Sequence, residues 1–221
     1  AAGVRRQRLE HWVDGTSGAL PCTARSFQFL SSHASTLPMV PLRTYLLDAY
    51  DPTMPVYTAW DLGFRDDTAI WWYQVVRGEI HVLDFYAVSG ATIKELAELV
   101  LSKPYRYGKH YLPHDARAKT LASGGKSIIE QMAEFFGINN LSIVPELSVQ
   151  DGIQAVRRML PRCWFDVDKC EEGLEALRQY QREYDEDKKT FRQTPRHDWC
   201  SHPADAFRML AIAWRQEPTA Q

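Results

Sequence analysis

The sequence has no run apolar and long enough to cross a bilayer, and no secretory leader is apparent at its start. A soluble intracellular protein is therefore expected. It has only four cysteines, Cys22, Cys163, Cys170 and Cys200, with no CxxC pair among them, which removes a zinc ribbon or finger. They read as ordinary thiols, with Cys163 and Cys200 expected inside. A glycine-rich phosphate loop of the GxxxxGK[ST] type is missing. The GGKS at Gly124 to Ser127 lacks the full pattern and a strong preceding strand, so ATP hydrolysis is not expected of this chain. Neither sign of charge is in large excess. A formal net charge of -2 argues against indiscriminate coating of nucleic acid, while leaving local fields open. No internal repeat, base-reading helix or zinc module is recognisable.

Apolar residues are plentiful. With 221 residues, 45% hydrophobic content and seven tryptophans, the chain can bury the core of one sizeable domain with a small appendage. Residues 1–54 mix Ser, Thr, Pro and small side chains without a sustained period and read as a loop-rich lead-in. Arg5, Arg6 and Arg8 within it read as a solvated terminus. From residue 55 the pattern becomes orderly. VYTAWDL, TAIWWYQVVR and EIHVLDFYAV read as three strands, with Arg77-Gly78 a compact turn between the last two, and short connections favour an antiparallel meander.

Thr92 can cap a helix reaching about Leu101, with Glu95 placed for a capping box. KHYLP is a short strand. Ile128, Ile129, Met132, Phe135 and Phe136 have helical spacing, ended by Gly137. Strand LSIVP, a helix over about 149–160, strand CWFDV, a helix over about 171–184 and a last helix over about 201–216 complete the domain, leaving 217–221 as a tail. The expected fold is α/β: a mixed sheet of three antiparallel strands followed by alternating helices and strands, with helices on its faces.

Three acids occupy places where an unpaired charge is costly. Asp61 ends an apolar strand beside Gly63, on the face of Tyr57 and Ala59 and opposite Val56, Thr58 and Trp60. Asp115 lies just past KHYLP. Asp205 shares a helix face with Met209 and Ile212, away from Phe207, Leu210 and Trp214. A buried structural aspartate, a helix cap and an internal salt bridge are the respective alternatives. Together, two strand-end carboxylates and one helix carboxylate can surround two divalent cations about 4 Å apart, the arrangement that hydrolyses phosphodiesters. Mg2+ and Mn2+ both suit carboxylate and water ligands. Asp198 is a further candidate ligand, and His197 or His202 could orient water or phosphate. Asp66 and Asp67 read as turn or capping residues. Basic residues border the acids. Arg117 and Lys119 follow the second, and Lys188, Lys189 and Arg196 precede the third, which suits an anionic polymer held over metal ions.

In this order the segments resemble the ribonuclease H-like superfamily. They are similar to the C-terminal nuclease domain of the large terminase subunit of tailed bacteriophages or prophages: DLGFRDDTAIWW to its first acidic strand, LPHDA to the segment carrying the second acid, and SHPADAFR to the helix carrying the third. WVDGTSGAL at Trp12 to Leu20 resembles the family's approach to that domain. The resemblance covers residues 55–216. It implies that Asp61, Asp115 and Asp205 ligate metal for cleavage of double-stranded DNA during genome packaging, with Asp198 auxiliary. It also implies a packaging ATPase, portal and small terminase subunit as partners, in the bacterial host cytoplasm, and the isolated domain is expected to be monomeric. Lacking the phosphate loop, the chain reads as a nuclease fragment or a separated C-terminal half.

Other readings stay open on the residues alone. A junction resolvase or integrase of the same superfamily uses acids in a similar way and differs in substrate structure. An actin-like sugar kinase also has an early DxG turn, but requires ATP and a paired phosphate-binding domain. A catalytically silent DNA clamp or motor-docking module would bind without cutting.

Overall fold

The computed structural model describes residues 50–63, 67–119 and 125–216, together with the backbone of 26–29 and 41–45. In chain order the elements are β1 (Ser26–Phe29), β2 (Pro41–Tyr45), β3 (Val56–Asp61), β4 (Asp67–Val76), β5 (Glu79–Ser89), α1 (Ile93–Ser102) and β6 (Tyr107–Leu112). A 3₁₀ turn, His114–Arg117, leads on toward α2 (Ile128–Phe136), β7 (Leu141–Ile143), α3 (Val149–Met159), β8 (Cys163–Asp166) and α4 (Glu171–Gln179). The ribbon β9 (Arg182–Asp185) and β10 (Thr190–Pro195) precedes α5 (Ser201–Ala213).

Eight strands form one sheet in the order β1-β2-β8-β5-β4-β3-β6-β7. Strands β3, β4 and β5 are the expected antiparallel meander. Arg77 and Gly78 join β4 to β5 with φ of 52° and 78°, the doubly left-handed turn whose twist matches a hairpin. Strands β6 and β7 add in parallel beyond β3, and β8 adds in parallel beyond β5. The carboxyl ends of β3, β6 and β7 therefore share one edge of the sheet, where ligands gather in open α/β folds.

Both faces of the sheet are covered, which is why β3 and β4 are almost wholly apolar. Val56, Trp60, Ile70 and Trp72 face Leu96 and Val100 of α1 and Met132 and Phe136 of α2. On the opposite face Tyr57, Ala59, Trp71 and Tyr73 meet α3, α4 and α5 through Ile153, Val156, Leu174, Leu177, Phe207 and Leu210. Trp71 organises this second layer. Its ring packs 4.4 Å from Phe85 and 5.2 Å from Phe207, and its Nε1–H donates to the Pro203 carbonyl at 2.9 Å, pinning the first turn of α5 to β4.

Helix ends follow their sequence signals. Thr92 and Glu95 form the reciprocal capping box on α1, and Ser127 and Glu130 form a second on α2. Ser127 of the GGKS segment is thus a helix cap, and Lys126 pairs with Glu134 at 2.5 Å. Gly137, at φ 77°, closes α2 with its N–H on the Ala133 carbonyl. Cys163 and Cys200 are buried as expected, and Cys170 is buried as well.

Two expectations need correction. The helix expected over 171–184 ends at Gln179, and residues 182–195 form a two-stranded ribbon instead. Tyr180, buried among the α3, α4 and α5 side chains, leaves the helix with extended backbone. The ribbon is then closed by Lys189 at φ 51° and by the Tyr184–Phe191 cross-strand ring pair at 5.1 Å. Its alternation is masked in sequence by the charges of REYDEDKK. Within the stretch read as a loop-rich lead-in, β1 and β2 are strands, and β2 pairs in parallel with β8. Each is five residues or shorter, too little for a period to show. Arg5, Arg6, Arg8, Cys22, Asp66, Gly124, the Trp12–Leu20 segment and the 217–221 tail lie outside the described residues.

Candidate functional site

Asp61 is the last residue of β3 and takes the face of Tyr57 and Ala59, beneath α5. Its Oδ2 lies 2.8 Å from His202 Nδ1, with both side chains largely buried. A proton on Nδ1 makes this imidazole a donor that fixes the carboxylate. The His202 ring stands edge-on to His197, with centroids 5.8 Å apart. One turn along α5, Asp205 continues the half-buried stripe of His202, Met209 and Ile212, while Phe207 and Leu210 point into the core.

Burial raises the Asp205 pKa above the usual carboxylate value, the Arg208 guanidinium opposes that, and the charge of Asp61 adds to the rise. The two carboxylates therefore share a field and repel each other. Arg208 answers Asp205 directly. Its Nε donates to Asp205 Oδ1 at 3.0 Å, and its Nη2 lies 2.7 Å from the same oxygen.

Asp115 comes from the neighbouring strand. Register pairs Ala59 with Tyr111, so the ends of β3 and β6 lie side by side. Asp115 follows on the 3₁₀ turn, exposed, with Ala116 anchored in the core. Among the described residues, no three His, Cys, Asp or Glu side chains meet around one point. The structure pairs Asp61 with His202, sets Asp205 within their electrostatic reach one turn along α5, and leaves Asp115 on the adjoining strand end. Oxygen donors on facing elements, mutually repelling and partly desolvated, are a donor set that a hard divalent cation would relieve.

Asp198 is engaged by its own chain. Its Oδ1 accepts from the Cys200 N–H at 3.0 Å, its N–H contacts Ser201 Oγ at 2.9 Å, and its Oδ2 lies 3.5 Å from Arg196 Nε, all in the turn entering α5. Asp67 opens β4 opposite Ser89. The basic residues singled out in the sequence are all exposed, in two places. Arg117 and Lys119 follow Asp115, with Lys119 3.8 Å from Glu130. Lys188 and Lys189 form the tip of the β9–β10 ribbon, where Lys189 lies 3.3 Å from Glu186, and Arg196 leads from the ribbon into α5. Sequence reasoning passed over Arg208. The available signal was its spacing of three residues from Asp205 on an otherwise apolar helix.

A sheet of this order, with acids at the end of its first meander strand, on the neighbouring strand end and on the last helix, is a ribonuclease H-like domain. The model of the terminase RNaseH-like domain family matches residues 58–210, and the chain belongs to that family. Among solved structures, the large terminase of a thermophilic bacteriophage is similar, with 17% identity and a TM-score of 0.57 over 75% of this chain. The chain spans 41% of that protein's length. The g2p large terminase nuclease domain of bacteriophage SPP1, solved with Mn bound, gives 15% identity and a TM-score of 0.56 over 74% of this chain and 87% of its own. The large terminase nuclease of a second thermophilic phage, G20c, solved with magnesium, gives 20% identity and a TM-score of 0.54 over 84% of this chain and 99% of its own. At such identities the likeness is one of fold. No curated protein sequence matches. No helix among the described residues is long and apolar enough to cross a membrane.

Proposed function

We propose that this chain is a divalent-metal-dependent endonuclease that cleaves double-stranded DNA during viral genome packaging. The observation that carries this reading is the Asp61–His202 pair at the carboxyl end of β3, with Asp205 in its field one turn along α5, in a domain of the terminase family. In this reading Asp61, Asp115 and Asp205 are the catalytic metal ligands and Asp198 an auxiliary one. The ions are two Mg2+ or Mn2+. When bound, such ions stabilise the charge developing on the phosphodiester and supply an attacking water of lowered pKa.

The chain's own residues prepare that chemistry. His202 holds one oxygen of Asp61, and β3, locked between β4 and β6, fixes its direction. Asp115, on a short exposed turn, completes the ligand set from the side. Arg117, Lys119, Lys188, Lys189 and Arg196 meet phosphates along the duplex, contacts that position without reading sequence. Residues 55–216 form the catalytic unit, 1–54 the lead-in whose β1 and β2 extend the sheet, and 217–221 a tail. The longer large terminase of the first thermophilic phage, also solved with ADP, supports a packaging ATPase outside this chain. A portal and a small terminase subunit complete the partners, and the isolated domain acts as a monomer in the host cytoplasm.

The test is cleavage of circular double-stranded DNA by the purified chain across Mg2+ and Mn2+ titrations, with EDTA and Asp61→Asn as controls. Nicking or linearisation that needs the metal and disappears in the variant is expected. Cleavage that survives both controls would overturn the reading. DNA binding without cleavage by a folded chain would favour the silent docking module, which the lack, among the described residues, of three such side chains around one point makes the competing reading.

A further inference from the structure

We propose that Arg208 is a positioning residue: it orients the Asp205 carboxylate for the cation site, and Gly152 provides its seat. The proposal rests on the metal-dependent reading above and concerns how one ligand is held.

Arg208 is 8% exposed, which puts its guanidinium where charge is costly unless paired. Both of its contacts to Asp205, from Nε and Nη2, fall on Oδ1. Two donors on one oxygen hold Oδ1 in place and leave Oδ2 without a contact to the arginine. The arginine is itself braced from α3. A Cβ built on Gly152 would lie 3.1 Å from Arg208 Cδ and 3.2 Å from its Nη1, tighter than ordinary van der Waals contact. Helix α3 thus carries glycine, a poor helix former, where the arginine lies against it. Counter-charge alone would not need this seat. A lysine ammonium at 208 keeps the charge but not the rigid two-pronged contact, which separates the two roles.

The experiment is calorimetric titration of Mn2+ into the full chain, without DNA, for wild type, Asp61→Asn, Arg208→Gln, Arg208→Lys and Gly152→Ala, with circular dichroism of each. Wild-type binding that Asp61→Asn weakens identifies the site. Arg208→Gln is expected to bind Mn2+ at least about tenfold more weakly, as outer partners of metal ligands commonly do when removed. Arg208→Lys is expected to recover only part of the loss, and Gly152→Ala to weaken binding in the same direction with its helix intact. Equal affinity in wild type and Arg208→Gln, or full recovery by lysine, overturns the positioning role while leaving the metal reading standing. If Arg208→Gln does not fold, Gly152→Ala decides, and unchanged affinity there overturns the proposal. No Mn2+ binding by the folded wild type overturns the metal reading and this inference with it.

Discussion

His110 tests the packing of the domain without metal or DNA. Its side chain is 2% exposed, stacked on Phe136 at 4.1 Å between centroids, with Nδ1 2.8 Å from the Thr58 hydroxyl, which also accepts from Trp60 Nε1. Burial pushes its pKa down from 6.5 to about 4. The unfolded imidazole protonates near 6.5, so between those values the unfolded chain binds a proton that the folded chain refuses. The stability contributed by the neutral ring is therefore complete above about pH 6.5, falls with acidification, and is exhausted once pH passes below about 4. From pH 7.5 to pH 4.5 the loss works out at about 2.5 kcal/mol. Asp205 acts in the opposite sense over the acidic end, because its raised pKa lets the folded chain take a proton first. Comparison with His110→Gln cancels that background. Guanidinium unfolding at pH 7.5, 6.5, 5.5 and 4.5 should show the variant's deficit shrinking by about that amount. A deficit constant across the four pH values would mean that His110 titrates alike in both states, and would refute the argument.

Two further perturbations probe the architecture and the proposed DNA surface. Gly173→Ala should lower stability by about 1–3 kcal/mol despite alanine's preference for helices, because the new Cβ would fall 2.3 Å from Trp71 Cη2 and 2.7 Å from Phe85 Cγ; an unchanged thermal midpoint would sink this. Replacing Lys188 and Lys189 together by Gln should weaken DNA binding and lower the slope of log affinity against log salt by at most about 2. Lys189 should contribute the smaller part, since it lies near Glu186, and equal binding by the variant at several salt concentrations would remove the ribbon tip from the DNA surface.

Much of the fold was legible because its elements are long, doubly covered and clearly punctuated. Tyr57 and Ala59 do face the helices opposite Val56 and Trp60, as alternation along β3 requires, and the Thr92–Glu95 box does start α1. What escaped notice was short or depended on distant partners. Strand β2 exists because β8 offers it an edge, and PLRTY alone announces nothing. The β9–β10 ribbon hides among alternating charges that also fit a helix, and the helical run ends where the buried Tyr180 takes extended backbone.

The candidate site divides along the same line. Asp61 and Asp205 were legible because their own elements fix them: a central strand aims one, and a helix with most of its surface buried leaves a half-open stripe for the other. Their fine orientation was not, since it is set across elements, by His202 of α5 on Asp61 and by Arg208 seated against α3. Asp115 belongs to neither case. It was found as an acid past a strand end, and among the described residues its exposed short turn gives it no partner comparable to His202 or Arg208. Two acids are thus held by neighbouring side chains, and the third sits on a short exposed turn. On the proposed reading, substitution of Asp61 or Asp205 should then alter the site's resting geometry, whereas substitution of Asp115 should be felt only when metal and DNA are bound.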